Sequence, residues 1–516
     1  MVDDIHFIDT TFRDGSQSLW AMGMRHGMME PIAADMGRAG FFAVEVVSNG
    51  AHFKKIVRDL KEDPWQMLRM LSEQMPGVLK TSMGALKLTG LGTSVPKVVR
   101  ELAVQLLADL VTPYRAQIIC NTADELTRTL PTEVPAMRAH GFQVALALAY
   151  TISPRHTDQL FADQAQRAAA LRPDALYLKD QGGLLTVDRI RTLAPILLEA
   201  AGDIPVELHS HCTTGLAPSV YTEAMRLGIR YLHTGVPPAS DGSAQPSALD
   251  TARNARALGF NPLVDEDLLA SVSRRLTSFA HQEGLPIGVP VRYDEAQFAH
   301  QIPGGVIANL RFQLETIGLA EQIGEVMQES IRVRAELGYP IMITPYSQHV
   351  VTQATINVAT GKRYAMVIDN VIRFALNHFG AGSGHEWMDP DLRDRLCSLP
   401  RAKELEAMGD LASDDELTLR EAKERYGDAA MSDEEVVLRA LMAGSAEVEA
   451  MRLAGSPRRY LSADLPLLTL LRELGKQRQV RFIHLERGTD RLLVARRAAE
   501  TPGARAAITA GSPSHR

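Results

Sequence analysis

Eight times between residue 1 and about residue 285, a short β-rich run gives way to a stretch with apolar residues at helical spacing. The runs are Ile5–Asp9, Ala43–Val47, Leu79–Ser82, Gln117–Cys120, Val144–Ala149, Ala175–Leu178, Val206–His211 and Tyr231–Thr234. Segments such as Met28–Arg38, Pro96–Leu107 and Ala217–Leu227 lie between them. Strict strand–helix alternation predicts a parallel sheet. Eight units that fit without remainder predict its closure into an α/β (β/α)8 TIM barrel. The alternative is an open doubly wound sheet, but the first turn lacks the Gly-x-Gly-x-x-Gly that such a sheet uses for a dinucleotide.

The pattern changes after residue 285. Ala308–Gly318, Leu319–Leu337, Gln348–Thr360 and Ala365–Phe379 carry helical periodicity, so residues 286–450 are expected to form a mostly helical domain. Ser413–Glu416 and Ser432–Glu435 read as helix starts. Residues 451–516 read as a C-terminal extension. It holds a helix at Leu467–Leu474 and a hairpin turning at Arg487–Asp490, and the tail rich in Ala, Gly, Ser and Pro is expected to be disordered.

A parallel barrel collects its chemistry at the carboxyl ends of its strands. Four polar groups fall there: Asp14 just after the first strand, Lys179 at the end of the sixth, and His209 and His211 in the seventh. An i, i+2 pair in a strand points both imidazoles to one face. Two histidines and a carboxylate can hold a divalent metal with a coordination position left open. A neutral lysine beside them could take up CO2 and become an anionic oxygen ligand.

The net charge is −7 over 516 residues, which disfavours nucleic-acid or membrane-surface binding. No apolar run approaches the roughly 20 residues of a membrane-spanning helix. The start, Met1-Val2-Asp3-Asp4, does not resemble a signal peptide. The three cysteines, Cys120, Cys212 and Cys397, form no disulfide framework, which leads to the expectation of a reducing cytoplasm. Cys212 follows His211 directly and is expected to face the other way.

The ordered motifs resemble a family. Asp9-Thr10-Thr11-Phe12-Arg13-Asp14 with Gln17 and Ser18 is similar to the opening of the carboxyltransferase domains of pyruvate carboxylase, oxaloacetate decarboxylase alpha subunits and transcarboxylase. This family sits within the metal-dependent HMG-CoA-lyase-like TIM-barrel superfamily. The resemblance continues through Leu178-Lys179-Asp180-Gln181-Gly182-Gly183-Leu184, His209-Ser210-His211 and Ser243-Ala244-Gln245-Pro246. It enters the helical region with Gln301-Ile302-Pro303-Gly304-Gly305 and Thr344-Pro345-Tyr346-Ser347-Gln348, and covers about residues 5–450. It implies that Asp14, His209, His211 and a carboxylated Lys179 ligate zinc, manganese or cobalt, with the helical region as a funnel over the barrel mouth. It implies that a metal-stabilised enolate of a 2-oxo acid or acyl substrate accepts or loses CO2. Arg13 and Gln17 would orient that substrate. Lys179 separates this branch from the related aldolases and lyases, which lack the lysine.

The sequence also departs from the family. Met83 stands where the substrate-carboxylate arginine is expected, with Lys87 nearby, and a thioether cannot read a carboxylate. Ala308 stands before Asn309-Leu310, where a proton-relaying hydroxyl, usually threonine, is expected. Asn121 and Cys212 replace expected aspartates. The last lysine, Lys476, lacks flanking methionines, so the expectation is either biotin on a separate carrier working with a biotin carboxylase subunit, or a chain that works without biotin. A homodimer is expected. Three functional classes follow: a carboxyltransferase or decarboxylase subunit, a biotin-independent metal-dependent lyase or aldolase, and a non-catalytic scaffold subunit of a carboxylase complex.

Overall fold

The computed structural model describes residues 3–84, 95–120, 122–316, 318–343, 345–380, 382–408, 417–460, 465–477, 479–487 and 490–495. Within it the chain divides into two compact units, Met1–Arg458 and Arg459–Arg516.

The first unit is built on a closed parallel barrel. Its strands are β1 (Asp4–Asp9), β2 (Ala43–Glu45), β3 (Leu79–Met83), β4 (Tyr114–Cys120), β5 (Gln143–Ala149), β6 (Ala175–Asp180), β7 (Val206–Ser210) and β8 (Tyr231–Thr234). They pair in chain order, and β1 closes the ring by pairing with both β8 and β2. The expected barrel is therefore present, and the open sheet is excluded.

β5 shows how the sequence makes a wall. Val144, Leu146 and Leu148 alternate with Ala145, Ala147 and Ala149, all buried. Successive side chains face opposite ways. The small residues Ala145, Ala147 and Ala175 line the interior beside Tyr177. Alanine at these positions leaves room for large polar side chains, and the barrel uses it. Arg115, Gln117, Tyr177, Glu207, His209 and His233 are all buried there. The Tyr177 hydroxyl donates to Gln117 Oε1 at 3.1 Å, and Gln117 Nε2 donates to Thr81 Oγ1 at 3.0 Å. A buried polar group costs about 1–3 kcal/mol when unpaired, so the network removes the penalty that these residues would otherwise bring.

The bounding helices start on ordinary caps. Thr157, Thr186 and Ser247 each accept a backbone N–H with their hydroxyl at the starts of Asp158–Ala170, Val187–Ala201 and Ala248–Ala257.

Beyond the barrel, the helices Gly304–Thr316, Ile323–Glu336, Tyr346–Thr360 and Asp369–Ala375 share one apolar core. That core includes Leu314, Val333, Tyr346, Val350 and Phe374, and it is continuous with Ala149 at the end of β5. The helix expected over Ala365–Phe379 is shorter, Asp369–Ala375. Ser432 caps Asp433–Met442 as its sequence suggests, whereas Ser413–Glu416 lies outside the described residues.

The second unit contains the helix Leu465–Lys476 and the antiparallel pair Phe482–Arg487 with Asp490–Ala495. Ile483, Leu485, Leu492 and Val494 are half-buried, while Phe482, His484 and Leu493 are exposed, so the hairpin has one sheltered face. The tail expected to be disordered lies outside the described residues.

Candidate metal centre and active site

The site forms at the carboxyl ends of β1, β6 and β7. After β1 the chain enters a short helical turn, Thr11–Gly15, which carries Arg13 and Asp14. Asp9 fastens its start by accepting from Thr11 N at 3.2 Å and from the Thr11 hydroxyl. Lys179 and His209 are register neighbours on adjacent strands. His211 lies one residue past β7, its N–H bonded to the Asp180 carbonyl at 3.1 Å. The Asp180 carboxylate accepts from Leu184 N, Leu185 N and the Ser210 hydroxyl, which sets the Gly182–Gly183 turn beneath the mouth.

Asp14, His209 and His211 converge at the strand ends where the sequence places them, and all three are buried. His209 Nε2 lies 3.2 Å from Asp14 Oδ2 and 3.2 Å from His211 Nε2, and His211 Nε2 lies 3.7 Å from Asp14 Oδ2. Ligand atoms each about 2.1 Å from one ion stand roughly 3.0–3.4 Å apart for bond angles between right and tetrahedral. The donor set also fits. His211 Nδ1 donates to the Ser243 carbonyl at 2.7 Å, which leaves the Nε2 lone pair facing the site. Lys179 Nζ sits 3.0 Å from His209 Nε2 and 3.5 Å from Asp14 Oδ2.

Electrostatics keep the groups in ligating form. Burial opposes the charge on Asp14, but Arg13, Lys179 and His211 hold it well below the usual carboxylate range. Burial pushes His209 well below the normal histidine range, so its imidazole is neutral. Burial also lowers Lys179, against the pull of Asp14.

Arg13 is committed within the site. Its Nε and Nη2 form a fork on Glu45 at 3.0 and 2.7 Å, Nη2 also meets Asp14 Oδ2 at 3.0 Å, and Nη1 donates to Gln17 Oε1 at 3.3 Å. Arg13 thus aims Asp14 and Gln17, and the half-buried Gln17 is the end of this series nearest solvent. Met83 closes β3, half-buried against the Ala147–Tyr177 group inside the barrel.

Ala308 lies in the helix Gly304–Thr316, and its side chain is outside the described residues, as are Lys87 and Asn121. That helix begins at the mouth. A Cβ on Gly304 would stand 2.5 Å from Ser243 Cβ, so only glycine permits this approach. Cys212 is buried, and burial drives its thiol well above the ordinary range. Lys476 ends its helix, exposed and paired with Glu473.

Two residues were not singled out by sequence reasoning. Gln245 Nε2 lies 3.2 Å from Asp14 Oδ2, 3.0 Å from His209 Nε2 and 2.9 Å from His211 Nε2, while its Oε1 accepts from Thr10 Oγ1 at 2.8 Å. His233 Nδ1 contacts His209 Nδ1 at 3.2 Å. Gln245 was visible as part of Ser243–Pro246, but nothing local marks His233.

Residues 298–450 match the family model described as a conserved carboxylase domain. A pyruvate carboxylase subunit of Methanocaldococcus jannaschii is 32% identical over 380 residues, 73% of this chain and 66% of that protein. The chain belongs to the carboxyltransferase family of pyruvate carboxylase and its relatives. The 2-oxoglutarate carboxylase large subunit of Hydrogenobacter thermophilus is 30% identical over 73% of this chain and 57% of its own length. The methylmalonyl-CoA carboxyltransferase 5S subunit of Propionibacterium freudenreichii is 27% identical over 73% and 74%. The chain thus spans somewhat under two thirds of the first two relatives. In fold it is similar to the carboxyl transferase domain of Rhizobium etli pyruvate carboxylase with pyruvate. That likeness has a TM-score of 0.75 at 19% identity and covers 96% of this chain and 84% of that one. No described helix is long and apolar enough to cross a membrane.

Proposed function

We propose that the chain is the carboxyltransferase subunit of a biotin-dependent carboxylase or decarboxylase, with biotin on a separate carrier protein charged by a biotin carboxylase subunit. The observation that carries this reading is the convergence of Asp14, His209 and His211 on one point with Lys179 beside them. A divalent cation held by these four residues, Lys179 as its carbamate, would supply a Lewis acid for a substrate carbonyl at the barrel mouth.

The protein's own residues do the rest. Burial lowers Lys179 toward the neutral amine, the form that adds CO2. Asp14 stays ionised, and Arg13 fixes it and presents the Gln17 amide toward the mouth. The ring of helices and the polar barrel floor limit water at the reacting carbon. The acceptor differs from a small 2-oxo acid bound through an arginine fork at β3, because Met83 presents an apolar surface there. The related proteins are themselves named for pyruvate, 2-oxoglutarate and methylmalonyl-CoA. Acyl acceptors therefore belong among the candidates. The soluble assembly is expected to be dimeric and cytoplasmic.

Ala308, which stands where a proton-relaying hydroxyl is expected, favours a second reading, a biotin-independent lyase that uses the same centre. One experiment separates the two. The purified chain is incubated with a carboxybiotinylated carrier carrying labelled carboxyl and a panel of 2-oxo acids and acyl-CoA thioesters. Carrier-dependent transfer of label supports the first reading. Metal-dependent cleavage or decarboxylation without carrier, together with no transfer, refutes it in favour of the lyase.

A further inference from the structure

Below the proposed metal centre a line of buried side chains crosses the barrel interior. Arg115 Nη1 and Nη2 donate to the two oxygens of Glu207. Glu207 Oε2 meets His233 Nε2 at 2.9 Å. His233 Nδ1 meets His209 Nδ1 at 3.2 Å. Glu207, His209 and His233 are 0% exposed and Arg115 is 1% exposed, so the line is shielded from bulk solvent. Tyr177 stacks on His233 with ring centroids 5.1 Å apart and holds its plane.

The line has a direction. A guanidinium can only donate, so both Glu207 oxygens act as acceptors. Glu207 therefore takes the proton carried on His233 Nε2. In the neutral His233 imidazole, Nδ1 then holds the lone pair and pairs with His209 Nδ1 when that nitrogen carries hydrogen, while on the other side of the His209 ring the donor amide of Gln245 meets Nε2 at 3.0 Å. This arrangement puts the His209 proton on Nδ1 and turns the Nε2 lone pair toward the point where Asp14 Oδ2 and His211 Nε2 converge, in place of an Nε2–H that would donate to Asp14. The Gln245 amide, whose oxygen is engaged by Thr10, donates toward that same lone pair at 3.0 Å.

We propose that His233 and Glu207 are positioning residues that lock His209 in its Nδ1–H tautomer and so create the metal-ligating face of the site. The proposal rests on the metal-centre reading above for its purpose, but its first readout does not. Such outer partners typically contribute about 10–100-fold to metal affinity.

The test begins with metal-free wild-type protein, deuterated and labelled with nitrogen-15 in histidine. Long-range nitrogen–proton correlation reads the His209 tautomer, with the resonance assigned by its loss in His209→Gln. The expected result is the Nδ1–H form. Zinc and cobalt affinities are then measured by chelator competition for wild type, His233→Phe and His233→Asn. Phenylalanine keeps the stacking on Tyr177 but offers no acceptor. Asparagine places an amide oxygen near the position of Nδ1. His233→Phe should bind metal roughly 10–100-fold more weakly, and His233→Asn should restore most of that loss. An Nε2–H tautomer in wild type overturns the proposal even if no variant folds. So does unchanged affinity in His233→Phe, or an equal loss in both variants. A wild type that shows the Nδ1–H tautomer yet binds no metal sinks the metal centre itself and leaves the tautomer assignment standing.

Discussion

Replacing Met83 with arginine should convert the mouth of the barrel into a site for small 2-oxo acids. Met83 ends β3, half-buried against the cluster of Ala145, Ala147, Ala175 and Tyr177 inside the ring. Arg13 does not fill the role of carboxylate clamp, because its Nε and Nη2 are held by Glu45, Nη2 also by Asp14, and Nη1 by Gln17. A guanidinium at position 83 would bring a free fork. A hydrogen bond to a charged group contributes about 1.5–3 kcal/mol, which corresponds to roughly 10- to 150-fold in affinity at 1.4 kcal/mol per tenfold. Placing a new cation near Arg13 and Lys179 offsets part of this gain, so the lower half of the range is expected. Calorimetric titration of pyruvate into Met83→Arg, beside wild type and a neutral Met83→Gln control, measures it directly. The KM for oxaloacetate decarboxylation should fall in parallel. Equal pyruvate affinity in wild type and Met83→Arg, with metal content and thermal stability retained, would refute the reasoning. It would show that another cation already serves the substrate carboxylate.

Four further outcomes follow from the same geometry. His211→Ala removes a ligand whose Nδ1 is already pinned to Ser243, so metal content by elemental analysis should drop to background, and retained stoichiometric metal would exclude this ligand set. Lys179 should show a carbamate carbon signal when the protein is equilibrated with carbon-13 bicarbonate, and the signal should vanish in Lys179→Met. Burial pushes the Asp9 carboxyl up to about 8 from 3.8, so folding takes up a proton there. The stabilisation this brings is complete below about pH 4 and is lost as pH rises toward 8. The melting temperature of wild type should therefore fall more between pH 5 and 8 than that of Asp9→Asn, and parallel curves would contradict the burial argument. Ala308→Thr restores a hydroxyl on the helix that starts against Ser243, and general acid–base groups contribute about 10²–10⁴-fold. Carrier-dependent carboxyl transfer should rise by at least tenfold in that variant, and no gain alongside carrier-free turnover would favour the lyase.

The barrel was legible because its strands are punctuated by helices of matching length, and periodicity survives in each segment. Ala217–Leu227 was located to the residue. β4 was read as starting at Gln117, three residues late, because Tyr114-Arg115-Ala116 places a charged residue in what should be an apolar wall. That arginine belongs in the strand only because Glu207, some ninety residues on, meets it across the interior. A local window carries no trace of such a partner. The helical region was blurred for a related reason. Its helices share their core with one another and with Ala149 of the barrel, so apolar residues appear on more than one face and the ends lose contrast.

The candidate site divides along the same line. Asp14, Lys179, His209 and His211 could be read because each stands at a strand end, where the fold gathers its chemistry, and the i, i+2 spacing of His209 and His211 predicts a shared face for that pair. Arg13 and Gln17 could be read as neighbours of Asp14, but not their arrangement, which depends on Glu45 from β2. Gln245 was visible only as part of a motif, without its role, and His233 was opaque. One reaches the ligand atoms from a loop after β8, and the other does so from within β8, by way of the far nitrogen of His209. The legible residues are those that would touch the ion, because ligand chemistry restricts residue type and spacing. The residues that orient them are restricted only by what they pair with in space. Two imidazoles meeting through their Nδ1 atoms, with a carboxylate behind, form a constraint on proton position, and the sequence shows only three residues scattered over two strands.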